Sequence, residues 1–170
     1  MTDSKPLRIN VGSGAHKMAG YVSVDAYDPA AEVHADAAQL PYGAGTVDEI
    51  YTSHMVEHLA PAHFRRALQE WRRVLKPGGK LQIRCPNIEV YLRRWLAGDD
   101  TLRFGEGLHW LIGVPDKGDG YLNRNLFTPR HLAEFVRAAG FEAIRCTVYP
   151  TRSGHIADGD CLCQAVAPRS

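Results

Sequence analysis

Short apolar runs separated by polar, glycine-containing turns dominate the first third of the chain. Runs of apolar and β-branched residues predict strands over residues 7–11, 22–25, 32–36 and 47–52. Only residues 12–21 separate the first two of these strands. That spacing is close to the minimum for a parallel crossover, so any helix there has about one turn.

Helical spacing of apolar residues appears later in the chain. Residues 61–75 place Phe64, Leu68 and Trp71 on one stripe, with Pro61 in the first turn. Two further helices are predicted over 88–96 and 128–140, the latter beginning at the capping residue Thr128. Strands are predicted over 80–85, 141–149 and 161–166.

Strands that alternate with helices and finish in a hairpin predict the α/β class. We expect a doubly wound, mostly parallel, seven-stranded Rossmann-like sheet with an antiparallel C-terminal hairpin. Residues 1–170 have the length of a single domain. Residues 97–127 show little periodicity, and a long irregular segment of this kind favours a lid over a substrate. Its candidate contacts are Trp110, Tyr121 and Asn123 to Asn125.

Charge and hydropathy argue against two classes of partner. The chain has 20 basic and 19 acidic residues and a formal charge of +1, which lacks the field of a general nucleic-acid binder. No apolar run is long enough to cross a bilayer, and the first residues lack the apolar core of a signal peptide. We therefore expect a cytoplasmic protein with no membrane partner.

The four cysteines, at positions 85, 146, 161 and 163, fall mostly in predicted strands and form no CxxC pair. Buried, reduced thiols are the expected state. A metal site formed by Cys161, Cys163 and His155 is a weaker alternative, because no histidine pair has ligand spacing. No metal is predicted.

The first strand runs into Gly12-Ser13-Gly14, and the second strand ends at Asp25. In a parallel sheet this pairing favours a ribose-containing cofactor, because glycines admit a ligand close to the backbone and the acid accepts hydrogen bonds from the sugar hydroxyls. The short crossover leaves no full helix to hold a pyrophosphate at its N-terminus. A phosphate-free cofactor fits this spacing better than the dinucleotide of a nicotinamide-dependent oxidoreductase.

Further motifs follow in a fixed order. They are Ile-Asn-Val-Gly-Ser-Gly at 9–14, Val-Asp at 24–25, Ala-Asp-Ala-Ala-Gln-Leu-Pro-Tyr at 35–42, the segment 47–59, Leu-Lys-Pro-Gly-Gly-Lys-Leu at 75–81, and Phe-Thr-Pro at 127–129 through Ala-Gly-Phe at 139–141. Together they resemble the class I S-adenosylmethionine-dependent methyltransferases, particularly the compact type 11 subset. The resemblance covers nearly the whole chain.

This resemblance implies S-adenosylmethionine as the cofactor. The residues that it places on the cofactor are Val11, Gly12, Ser13 and Gly14 by the methionine part, Asp25 and Ala26 by the ribose, Asp36 and Ala37 by the adenine, and Ser53 and His54 by the sulfonium. In-line methyl transfer requires mainly an aligned acceptor, and a base only where the acceptor must lose a proton. The catalytic candidates are His54 and His109, since the reference pKa of histidine, about 6.5, lies near working pH.

The absence of one motif narrows the range of possible methyl acceptors. Residues 53–56 read Ser-His-Met-Val, not the Asp/Asn-Pro-Pro-aromatic motif of similar enzymes that methylate amino nitrogens on nucleobases. By analogy with compact relatives we expect a hydroxyl on a small molecule or a glycan. Two alternatives stay open, a non-catalytic module that binds S-adenosylmethionine and a nucleic-acid methyltransferase.

The chain departs from the family pattern in two places. His16 stands where the family has its third motif glycine, and the short segment 15–21 removes most of the usual first helix. Residues 1–6 cannot form the helices with which larger relatives cover the cofactor. We therefore expect an open cofactor site, or one covered by a second copy of the chain in a homo-oligomer.

Overall fold

The computed structural model describes residues 5–98, 112–113, 121–149 and 159–169. Its strands are β1 Arg8–Val11, β2 Val22–Asp25, β3 Val33–His34, β4 Val47–Ser53, β5 Leu75–Cys85, β6 Glu142–Tyr149 and β7 Asp160–Val166. Its helices are α1 Pro61–Val74, α2 Ile88–Leu96 and α3 Pro129–Ala138, with a 3₁₀ turn at Val56–His58. None of the helices in these described ranges is long and apolar enough to span a membrane.

The seven strands form one sheet in the order β3-β2-β1-β4-β5-β7-β6. Strands β1 to β5 are parallel, and β7 lies antiparallel between β5 and β6. This confirms the predicted fold class. Because β1 pairs with both β2 and β4, the winding direction reverses at β1, and in such sheets ligands bind beyond the carboxyl ends of the strands at that reversal.

One face of the sheet carries the hydrophobic core. Register partners Ile9 and Ile50 lie side by side on this face, as do Ile50 and Leu81. Together with the buried residues of α1 and α3 they form one core cluster, in which the two helices meet through Phe64 and Phe135, whose ring centroids are 5.2 Å apart. The apolar stripe predicted for residues 61–75 is therefore the buried side of α1.

The opposite face of the sheet is polar. The strand register places on it Glu49, Tyr51, Gln82, Arg84 and Gln164. Residues 12–21 contain no helix, and Tyr21 lies over this face, where its hydroxyl donates to Glu49 Oε1 at 2.7 Å and its ring meets Tyr51 edge-on. The crossover predicted to lack a full helix is thus a loop that covers part of a polar surface.

Strand β5 begins earlier than the sequence predicts. Leu75 already pairs with Val47, and a register shift follows before Lys80 pairs with Glu49. Gly78 has a φ of 75° and donates its N–H to Ala167 O at 3.0 Å. The Lys-Pro-Gly-Gly segment, predicted to separate helix from strand, is thus an irregular part of the strand itself, held by long-range pairing.

The cysteines follow the prediction only in part. Cys85 and Cys161 are buried thiols, whereas Cys146 and Cys163 form a disulfide. The expectation of four reduced thiols was wrong for that pair, because the β6–β7 register sets the two residues directly opposite each other. His155 lies outside the described residues, and within the described ones no three His, Cys, Asp or Glu side chains are grouped as metal ligands.

Candidate functional site

The residues predicted to bind the cofactor lie along one edge of the sheet. They follow the carboxyl ends of four parallel strands: Val11 to Gly14 at the end of β1, Asp25 and Ala26 at the end of β2, Asp36 and Ala37 after β3, and Ser53 and His54 at the end of β4. Since these strands are neighbours in the sheet, the structure brings the predicted residues together. The edge includes the point where the winding reverses.

Asp25 fixes the shape of the glycine turn. Its Oδ2 accepts the Gly14 N–H at 2.8 Å, and its Oδ1 accepts the N–H groups of Tyr27 and Asp28 at 2.8 and 3.0 Å. Burial opposes ionisation, but these three bonds outweigh it and lower the pKa of Asp25. A carboxylate has about four acceptor positions, so a charged Asp25 keeps capacity for a ligand hydroxyl.

The two glycines of the turn play different parts. Gly12 has a φ of 70°, and a Cβ built there would overlap the side chain of Met55. Gly14 has a φ of 49°, and a Cβ there would have no atom within 4 Å. The missing side chain at Gly12 therefore makes room for Met55, whereas Gly14 is the glycine that leaves open space for a ligand.

The loop after β3 is tied to α1. Asp36 Oδ1 accepts the Ala38 N–H at 2.7 Å and lies 2.8 Å from His63 Nε2. The indole N–H of Trp71 donates to Ala37 O at 2.9 Å. Helix α1 thus positions both residues predicted to border the adenine, a role for His63 and Trp71 that sequence patterns alone did not suggest.

His54 occupies a constrained position directly after β4. Its φ is 51°, unusual for a residue other than glycine. Its Nε2 lies 3.1 Å from Asp160 Oδ2, and its Nδ1 lies 3.6 Å from Glu57 Oε1. Burial alone would lower the pKa of His54, but these two acids outweigh it and raise that pKa to about 9. At neutral pH the ring is therefore charged.

Asp160 and Glu57 are buried acids. Asp160 has no exposed surface, and its Oδ2 also accepts Arg84 Nε–H at 2.7 Å. Among the described residues, Asp160 Oδ1 and Glu57 Oε2 have no hydrogen-bond partner. No sequence pattern pointed to Asp160, which lies 106 positions from His54, and Glu57 entered only as part of the segment 47–59.

Much of the predicted lid lies outside the described residues, including His109 and Trp110. Within the described part, the backbone N–H of Asn125 donates to Glu57 O at 3.0 Å. His58 Nδ1 lies 3.1 Å from Leu122 O. The end of the segment 97–127 is therefore attached to the 3₁₀ turn beside His54.

Comparison with known families agrees with this arrangement. Residues 10–83, which run from β1 into β5 and include all the predicted cofactor-binding residues, match the model of a methyltransferase domain. This part of the chain is therefore similar to a methyltransferase domain. A search of curated proteins found no match to the chain.

Solved structures share the fold of this chain. A methyltransferase from Thermotoga maritima, described as a possible histamine N-methyltransferase, is 18% identical with a TM-score of 0.68, over 98% of this chain and 84% of that one. A methyltransferase from Methanosarcina mazei is 17% identical with a TM-score of 0.64, over 98% and 95%. The Burkholderia thailandensis 1,6-didemethyltoxoflavin-N1-methyltransferase, solved with S-adenosylhomocysteine, is 15% identical with a TM-score of 0.64, over 96% and 72%.

Proposed function

We propose that this chain is a methyltransferase that moves the methyl group of S-adenosylmethionine to a hydroxyl of a small molecule or a glycan. One observation carries the proposal: at the carboxyl end of β4 the buried acids Glu57 and Asp160 hold His54, so a polar group fixed in position lies at the edge that carries the predicted cofactor residues. A hydroxyl acceptor can both donate and accept hydrogen bonds at such a polar site.

The cofactor fits the loops that precede this cluster. Asp25 retains acceptor capacity for the ribose, and Gly14 borders open space on the side of the methionine part. We assign Asp36 and Ala37 to the adenine, and Ser53 and His54 to the sulfonium. When bound, S-adenosylmethionine supplies a methyl group that its positive sulfur already activates.

The protein's own contribution is mainly orientation. Holding a reactant in line can supply roughly 7–11 kcal/mol in well-aligned cases. The end of β4 is suited to this because the His54 N–H donates to Arg84 O at 2.9 Å, which extends the β4–β5 pairing beyond the strand. A rigid strand end therefore carries the groups that would face the acceptor.

The acceptor class is tested by product analysis. The protein is incubated with S-adenosylmethionine carrying a carbon-labelled methyl group and with separate extract fractions of metabolites, glycans, proteins and nucleic acids. We expect label in the metabolite or glycan fraction, with the carbon chemical shift of a methyl ether. Asp25→Ala should lower the signal about tenfold or more when S-adenosylmethionine is below its wild-type Kd.

Three results would contradict the hydroxyl proposal. Label on nitrogen would show that the acceptor is an amine and not a hydroxyl. Label in the nucleic-acid fraction would support the alternative of a nucleic-acid methyltransferase. Binding of S-adenosylmethionine without transfer to any fraction would favour a binding module.

A further inference from the structure

The ring of His54 is held on both sides by acids from different parts of the chain. Asp160, at the start of β7, faces Nε2 at 3.1 Å, and Glu57, in the 3₁₀ turn, faces Nδ1 at 3.6 Å. A neutral imidazole carries a proton on only one nitrogen. Each of the two carboxylates faces an N–H donor only when both ring nitrogens are protonated. This geometry therefore favours the positively charged form of His54.

The acids are themselves anchored. Arg84, on β5, donates to Asp160 Oδ2 at 2.7 Å, and its guanidinium carbon lies 5.3 Å from the centre of the Tyr149 ring on β6. The backbone carbonyl of Glu57 accepts the N–H groups of Arg124 and Asn125. Three strands and the end of the predicted lid therefore fix the groups that hold His54.

Two further ionisable groups near this cluster stay neutral. Burial raises the pKa of Tyr91, on α2, with Asp160 adding to the shift and the guanidinium groups of Arg94 and Arg84 opposing it. Burial and then a hydrogen bond with Cys161 raise the pKa of Cys85, at the end of β5.

We propose that Asp160 is a positioning residue for methyl transfer, which acts through His54: with Glu57 it fixes the His54 ring as a cation at the carboxyl end of β4, so that His54 orients the reacting groups and does not remove a proton. This assigns a role to a residue beyond the matched segment 10–83. It also changes the role of His54 from the base expected from sequence to a charged anchor.

The inference rests on methyl transfer but not on the class of acceptor. The positive φ of His54 supports it, since a strained residue at a functional edge persists only where the surroundings hold it in place. If the acceptor is a nitrogen rather than a hydroxyl, the hydroxyl proposal fails while the clamp on His54 stands.

The first test needs no acceptor. Nitrogen-detected NMR of the full chain, labelled at histidine, follows the His54 ring as pH is raised. We expect both ring nitrogens to remain protonated at neutral pH and to titrate near pH 9, in keeping with the raised pKa. In Asp160→Asn the titration should move at least about one pH unit lower.

A matched control separates the clamp from a general loss of charge. Asp48, on β4 at the opposite edge of the sheet, accepts the Leu7 N–H and pairs with Lys76. Asp48→Asn also removes one carboxylate, and it should leave the His54 titration unchanged. If Asp160→Asn does not fold, the wild-type spectrum still tests the proposal by itself. A His54 ring that is neutral at pH 7.5 would overturn it.

The second test measures transfer into the labelled fraction at saturating S-adenosylmethionine. Asp160→Asn should lower kcat about tenfold or more and change the Kd for S-adenosylhomocysteine less than about threefold, as expected for lost orientation. Wild-type transfer should fall as pH rises through about 9. A rate that instead rises through that pH would show His54 acting as a base and refute the inference.

Discussion

At the scale of single residues, Asp25 serves both the fold and the proposed ligand. The sequence singled it out as the acid at the end of the second strand, and the structure adds three backbone N–H groups that it accepts. Its hydrogen bond to Gly14 could not be predicted from local sequence, because Gly14 lies 11 positions before Asp25. Removing the side chain therefore affects the ligand and the turn that would receive it.

We expect Asp25→Ala to weaken binding of S-adenosylmethionine about tenfold or more, or about 1.4 kcal/mol, because a charge-assisted hydrogen bond to the ribose and the support of the glycine turn are lost. Titration calorimetry measures this. Asp28→Ala is the matched control, since Asp28 belongs to the same loop but its Oδ1 accepts only the nearby Ala30 N–H. Equal affinity of folded Asp25→Ala and wild type would refute the ribose assignment.

The two turn glycines give a second prediction. Gly12→Ala should lower the free energy of unfolding by about 1–3 kcal/mol more than Gly14→Ala, because both have positive φ but only a Cβ at Gly12 would overlap Met55. Denaturant unfolding measures both variants. The added substitution Met55→Ala should recover part of the loss in Gly12→Ala and none in Gly14→Ala. Equal losses in the two single variants would argue against packing by Met55.

The charge on His54 links stability to pH. Its pKa in the folded chain, about 9, lies above the ordinary value of 6.5, so its contribution is complete below about pH 6.5 and is lost as pH rises through 9. Denaturant midpoints between about pH 6 and pH 10 should therefore fall in wild type, and fall less in His54→Asn, which tolerates positive φ. A wild-type midpoint that does not fall more steeply than that of His54→Asn would contradict the ion pairs of His54.

At the scale of elements, helix α3 shows how well local signals work. Its start at Pro129 and its cap follow from the sequence, and the structure confirms that Thr128 Oγ1 accepts the His131 N–H at 3.2 Å. Helix α2 has the bounds predicted for it. Strand β5 was predicted less well, because its first residues are extended by pairing with β4 and with Ala167 rather than by their own propensity.

Thr128→Ala should lower the free energy of unfolding by about 1 kcal/mol through loss of the cap. The matched control is Thr46→Ala, which removes a hydroxyl that donates to Gly43 O in an exposed turn and should cost less. Thermal and denaturant unfolding measure both. Helix α3 packs on β6 and β7, away from the predicted cofactor loops. Binding of S-adenosylhomocysteine to folded Thr128→Ala should therefore be unchanged. A loss of affinity would argue against this separation.

At the scale of the whole molecule, the predicted cofactor site can form only when the sheet is formed. Its residues come from the ends of β1, β2, β3 and β4, which become neighbours only through parallel pairing. A ligand that needs all four loops binds the folded state alone. That one domain spans the chain and that a second copy covers the site both stay predictions.

S-Adenosylhomocysteine at about 100 times its Kd should therefore raise the free energy of unfolding by about 2.7 kcal/mol. Thermal melting at fixed protein concentration measures the effect, with NADH as the comparison ligand. We expect no shift with NADH, because the crossover offers no helix for a pyrophosphate. A shift with NADH alone would contradict the cofactor assignment.

The sequence by itself determined the alternating elements, the glycine turn and the acid at the end of β2, and it predicted a phosphate-free cofactor. Each of these depends on the spacing of residues that are close along the chain. Only the tertiary structure decided that Asp160 meets His54, that Cys146 faces Cys163 and that Gly12 makes room for Met55. The physical reason is that strand order and register bring distant residues into contact, and local hydrophobic patterns contain no information about which distant charges will meet.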